Sequence, residues 1–374
     1  MLNGYNQRFL HTKSSDMFQM YFLLMFRALG FSMIGIFLPL FLYVEKGYAF
    51  DQVVWFYTIM SLAFIVSCLM ALKIVSKSGI KHSIILSYFI LIPSFIMLFF
   101  IDFMNNYYWL IGFFQGLSFG LFWIAFHVDA ALHIKRKSSG KASGLISFSS
   151  VIGAVIGPIF GAFVIYFWGF NLLFIIALCL FIVSFLPLFL SKDVYIKTDF
   201  HFKQMFNREH YKYFFGYFAQ GVRYTVSGIF WPIFAFLILQ SYVSLGFLTT
   251  LGTLIVGIFG YYIGKKSDHF RKGKLIKMFA MINGVFSVVR IFAWNVLSVF
   301  GFGLAEHITS AGVDVPLLAK TYSRAKKEEV AGFVFFREFM LRMGELFALI
   351  IVLFIGLKWS LMLVGVSNLL FLLF

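Results

Sequence analysis

The heptapeptide GIFLPLF at residues 35–41 returns as GIFWPIF at residues 228–234. Five of the seven positions are identical, and the copies lie 193 residues apart (228 minus 35) in a chain of 374. A motif that recurs at half the chain length points to an internal duplication. Each copy sits inside a long apolar run, so the duplicated unit is built from membrane-crossing segments. A span needs roughly 20 mostly apolar residues. Runs of that kind fall at 17–44, 50–74, 82–103, 107–133, 142–167 and 169–190. A second set follows at 211–239, 243–264, 275–293, 295–319, 330–356 and 359–374. The tightest boundary is at Asn295, where a single turn has to separate two spans.

Composition excludes the alternatives. Hydrophobic residues make up 61% of the chain and charged residues 12%, against about a quarter charged in soluble proteins. With a mean hydropathy of +0.92, the bilayer is the solvent. Long unbroken apolar runs speak for helices rather than a closed barrel, whose strands alternate. The expected fold is therefore an all-α integral membrane protein of twelve transmembrane helices in two six-helix, pseudo-symmetric bundles. The bundles are assigned to residues 1–190 and 211–374, with a polar connector at 191–210. Cys68 and Cys179 stand alone in apolar runs, so neither a disulfide, a metal site nor a cofactor is expected. The first run is too long for a cleaved leader and carries Arg27, and it is read as a retained span.

The formal charge of +16 has a topological reading. Of 31 Lys and Arg, 24 fall in the first segment and in alternate loops on the same side, while Lys46 and Lys358 fall on the other. Basic loops are retained in the cytoplasm, which predicts a cell-membrane protein with both termini cytoplasmic and no nucleic-acid partner. The remaining five, Arg27, Arg223, Arg290, Arg337 and Arg342, lie within spans, and so do five acids, Asp129, Glu306, Asp314, Glu338 and Glu345. Charge at membrane depth is costly, so these ten are functional candidates.

Three local motifs carry a family resemblance. GAVIGPIFGA at residues 153–162 is similar to the G-x-x-x-G-P-x-x-G-G signature of the major facilitator superfamily at Gly153, Gly157, Pro158 and Gly161, with Ala162 in the last position. Small residues at this spacing let helices approach closely. GKKSDHFRKGK at residues 264–274 resembles the family's gating loop through Gly264, Asp268, Arg271 and Lys272. The equivalent loop of the first half keeps Gly79 but has Ser76 in place of the aspartate, so that latch is expected to be weakened. Gln115–Gly116 matches a third signature, whose arginine is replaced by Gly112. The resemblance covers essentially the whole chain. It implies a secondary active transporter working by alternating access, and its span 5 motif is typical of antiporting exporters.

Site expectations follow from these placements. Arg27 and Arg223, in the first span of each half, together with Trp123, Phe126, Tyr224 and Trp231, are candidates for substrate binding. The span 11 sequence FFREFMLRMGELF sets Glu338, Arg342 and Glu345 on one helical face. Glu345, Glu306, Glu338 and His127 are candidates for proton coupling, and Arg290 is expected to reach toward the interface. With no G-x-x-x-x-G-K-[ST] loop, ATP is not the energy source. The favoured reading is a monomeric, proton-coupled exporter of amphipathic compounds. A carrier of small organic anions or zwitterions is the alternative, followed by a non-transporting sensor or a lipid-modifying membrane enzyme.

Overall fold

The computed structural model describes residues 14–133, 140–190, 193, 195, 210–267, 272–325 and 329–373, and among them there is no strand. In the first half the spans are α1 (Phe22–Glu45), α2 (Phe50–Lys77), α3 (Ile80–Phe99), α4 (Trp109–Ala131) and the run Val151–Phe189. That run divides at Gly169 into α5 (151–168) and α6 (170–189). In the second half they are α7 (Tyr211–Leu239), α8 (Tyr242–Gly264), α9 (Lys272–Phe292), α10 (Val296–Ala325), α11 (Val330–Ser360) and the shorter α12 (Met362–Leu373). Helices satisfy every backbone donor within the segment, which hydrocarbon demands.

The duplication is visible in the backbone. Gly169, between α5 and α6, and Gly356, near the end of α11, have φ of 79° and 78° with ψ near 180°. Only glycine adopts that conformation without strain, and it breaks the helix sharply with no intervening loop. Gly47 and Gln240, 193 positions apart, both have positive φ just beyond the first span of each half. At the expected tight boundary, Asn295 caps α10. Its Oδ1 accepts from the Ser298 amide at 2.8 Å, while Ser298 Oγ accepts from the Asn295 amide at 3.1 Å, a reciprocal cap that starts a helix within one turn.

Packing repeats as well. α1 lies on α5 and α2 on α4 in the first half, and α7 on α11 and α8 on α10 in the second. The halves meet through the equivalent pairs α5 with α8 and α2 with α11. Large apolar side chains such as Phe354 and Leu297 face outward, as a lipid-solvated surface requires. At the end opposite the basic loops, Lys46 Nζ is 2.7 Å from Asp102, tying the end of α1 to the segment after α3.

Candidate functional site

A cavity of about 830 Å³ lies among α1 to α5 and is closed on its far side by Leu318 and Tyr322 of α10. Gln115, Phe119, Phe122 and Phe126 recur at helical spacing, so α4 presents one continuous aromatic face to it. Phe31 and Trp123 extend the apolar wall. A mostly apolar cavity with few polar groups is the usual form of a small-molecule site.

The charge in this cavity is Arg27, 4% exposed. Its guanidinium carbon lies 3.3 Å from the Phe122 ring centroid, 4.5 Å from Phe31 and 5.1 Å from Tyr88. No carboxylate pairs with it among the described residues, and its Nη1 has no hydrogen-bond partner there. Aromatic faces attract a cation, but they leave its charge unneutralised.

The other four intramembrane arginines are all paired. Arg223 Nη2 bonds the Asp314 carboxylate, which also accepts from Gln220 Nε2 at 2.7 Å. Arg290 is not at the interface as expected. It is fully buried, 2.6 Å from Glu306 and with its guanidinium carbon 4.3 Å from the Trp231 ring centroid. A mid-span carboxylate within reach draws the side chain inward more strongly than snorkelling draws it out. Glu306 also accepts from Ser227 Oγ at 3.2 Å. Of the three residues expected on one face of α11, Arg342 and Glu345 pair with each other, while Glu338 pairs with the adjacent Arg337.

Of the expected substrate residues, Arg27, Trp123 and Phe126 line this cavity, as does His127. Arg223 and Trp231 lie within the wall of the second half, and Tyr224 is 45% accessible beside Gln220, whose Nε2 donates to its hydroxyl at 2.9 Å. Asp314 is one turn from Leu318 and two from Tyr322, on the same face of α10, and its side chain is 28% accessible. That face, Asp314–Leu318–Tyr322, follows from helical spacing, but nothing in the sequence singles out Tyr322 from the eighteen tyrosines.

Contacts between the halves cross the molecule on both sides of the cavity. Toward the basic-loop end, His127 Nδ1 is 2.9 Å from the Tyr322 hydroxyl, and its Nε2 is 3.1 Å from Arg337 Nη1 and 3.5 Å from Glu338. An arginine only donates, so this contact requires a lone pair on Nε2 and places the ring proton on Nδ1, aimed at Tyr322. Toward the opposite end, Tyr242 of α8 packs edge-on against Phe37 and Phe170, with centroids 6.3 and 5.5 Å away, and Phe50 lies 5.9 Å from Phe230.

The α5 motif lies between a neighbour in each half. A Cβ at Gly153 or Gly161 would stand 2.5 Å from the carbonyl of Met25 or Met33 on α1, while Ser32 Oγ donates to the Gly153 carbonyl at 2.9 Å. Gly157 is held equally close to Ser32. Pro158 bends the helix, and the Ile159 amide turns to Thr250 Oγ1 on α8 at 3.1 Å. Asp268 and Arg271 lie outside the described residues; Gly264 and Lys272 end α8 and begin α9. In the equivalent loop of the first half the missing aspartate is supplied from elsewhere. Asp193, beyond α6, accepts from the amides of Lys81 and His82 at 2.8 and 3.0 Å and from His82 Nδ1 at 2.6 Å. Its carboxylate fills the space over Gly79, capping α3. Proximity in sequence could not reveal a cap brought from more than a hundred residues away.

Comparison with known proteins gives one family. Residues 20–204 match the Major Facilitator Superfamily. A Bacillus subtilis (strain 168) protein, the uncharacterized YqgE, is 24% identical over 287 residues, covering 69% of this chain; the chain spans 65% of that relative's length. Among solved structures, a bacterial homologue of the iron transporter ferroportin in an outward-facing state superposes with a TM-score of 0.67 at 12% identity, covering 95% of this chain and 98% of that one. The E. coli fucose:proton symporter FucP gives 0.66 at 14%, covering 96% and 97%. The human organic anion transporter MFSD10 gives 0.67 at 13%, covering 97% and 100%. At such identities the likeness is one of fold.

Proposed function

The chain belongs to the Major Facilitator Superfamily, and on that premise we propose that it is a secondary active transporter of amphipathic organic anions. It carries them across the cell membrane by rocking its halves about the cavity, with the basic loops in the cytoplasm. The observation that carries this reading is Arg27, a buried guanidinium with no carboxylate partner among the described residues, set in an apolar cavity. A carboxylate or sulfonate supplies the charge the site lacks, and a hydrocarbon or aromatic body fills the wall made by Phe31, Phe119 and Trp123. Organic anions are thereby preferred over the lipophilic cations that the α5 motif alone would favour, because a cation would meet Arg27 with like charge. That motif acts here as close packing between α1, α5 and α8 and does not set the sign of the substrate.

His127 and Tyr322 form the contact that closes the cavity toward the cytoplasm, and Glu338 beside them is the carboxylate best placed to feel its opening. Thermal unfolding of the purified protein against matched panels of organic anions and cations tests the reading, since a ligand that binds the folded state raises its stability. Anions raise the melting temperature in the parent and not in Arg27→Met. Cations that stabilise both proteins, with anions inert, overturn the assignment.

A further inference from the structure

The charge inventory of the two halves points to the mode of transport, and this inference rests on the anion reading above. Four of the five intramembrane arginines carry their own carboxylate, Arg223 with Asp314, Arg290 with Glu306, Arg337 with Glu338 and Arg342 with Glu345. Those groups stay neutral as pairs whether or not substrate is present. Arg27 has aromatic faces and no acid partner among the described residues, so its charge is balanced only when an anion is in the cavity. We propose that the protein is an anion exchanger: the halves reorient when an anion is bound to Arg27, and the empty carrier stays on the side where it released its cargo.

The argument is one of desolvation. To alternate, the cavity has to pass through a state closed at both ends, and the structure has cross-half contacts in place on both sides of it, Tyr242 with Phe37 and Phe170 at one and His127 with Tyr322 at the other. An empty passage shuts a bare guanidinium away from water. A loaded passage shuts away a neutral pair of guanidinium and anion. A buried ion without its partner is the costlier species, so the loaded route is the faster. The three glutamates expected to carry protons, Glu306, Glu338 and Glu345, each hold an arginine already. All three are also at least nine-tenths buried. In each cycle one anion enters as another leaves, and for anions of equal charge no net charge crosses.

The test uses the intact protein in liposomes loaded with naphthalene-1-sulfonate, which carries a fixed single negative charge and an apolar ring. Efflux is followed into buffer with and without the same anion outside, at zero potential and under a potassium diffusion potential set with valinomycin. The expected result is efflux at least about tenfold faster with anion outside, with the exchange rate unchanged by the potential. Efflux that is equally fast into anion-free buffer, or driven by a pH gradient alone, overturns exchange while leaving Arg27 as the anion site. Absence of any binding that Arg27→Met removes overturns the anion reading and the exchange mode together.

Discussion

Arg27 in the first half and Arg290 in the second are both more than nine-tenths buried, and each lies over an aromatic face, Phe122 for one and Trp231 for the other. They differ in a single respect. Arg290 has Glu306 at 2.6 Å, with Ser227 holding the acid in place, while Arg27 has no acid partner among the described residues and borders a cavity of about 830 Å³. The duplicated architecture gave both halves the same packing scheme, α1 on α5 and α7 on α11, and then the charges diverged. In the second half, buried charge is satisfied within the wall and serves structure. In the first, on the reading proposed above, it is left for a ligand to satisfy.

Substitutions sharpen or break this contrast, and the largest effect falls on the satisfied pair. Arg290→Ala leaves Glu306 buried and uncompensated and is expected to cost about 3–5 kcal/mol of stability, read as a large fall in melting temperature, whereas replacing both residues with Met costs far less. If Arg290→Ala were tolerated as easily as a surface change, the pair would not be structural. Arg27→Met runs the other way: anion affinity falls roughly 10- to 100-fold, the loss of one charge-assisted contact, while the melting temperature without ligand rises. A fall in that temperature would mean that Arg27 has a structural partner and that the contrast is false.

Smaller effects probe how the halves are held. Asp193→Ala removes the cap on α3 and is expected to cost about 0.5–2 kcal/mol, with protease cleavage in the 191–210 connector accelerated. Equal cleavage in the variant would show that the cap does not anchor that segment. Tyr322→Phe deletes the hydroxyl facing His127, a contact of about 0.5–1.5 kcal/mol, and is expected to increase labelling of a cysteine placed at Ala130 on the cavity wall from the cytoplasmic side. Unchanged labelling would remove Tyr322 from the closing contact.

The fold was legible in the sequence because hydrocarbon imposes a simple rule on length and polarity, and the repeat at residues 35–41 and 228–234 supplied the symmetry. Even the abrupt break before α6 was legible as the boundary between the runs 142–167 and 169–190, and Gly169 makes it. Pairing between charges was far less legible. The five arginines and five acids could be counted, but helical spacing on α11 set Glu338, Arg342 and Glu345 on one face without choosing among partners, and the rotation of each helix in the bundle brought Glu338 to Arg337 and His127. Arg290 was misplaced because its partner, Glu306, lies on another helix. Arg27 was identified as a candidate from its depth alone. Its lack of an acid partner among the described residues depends on how the neighbouring helices are turned, which spacing along one helix does not reveal.

The most direct test of the central claim uses Trp123, on the cavity wall, as reporter. Its fluorescence in a variant lacking the other tryptophans gives the affinity for two ligands of the same shape, naphthalene-1-sulfonate and the uncharged naphthalene-1-sulfonamide. Tighter binding of the sulfonate by at least about tenfold, with the preference lost in Arg27→Met, is the result this structure predicts. Equal affinity for the charged and uncharged ligands, or a preference that survives Arg27→Met, would contradict it.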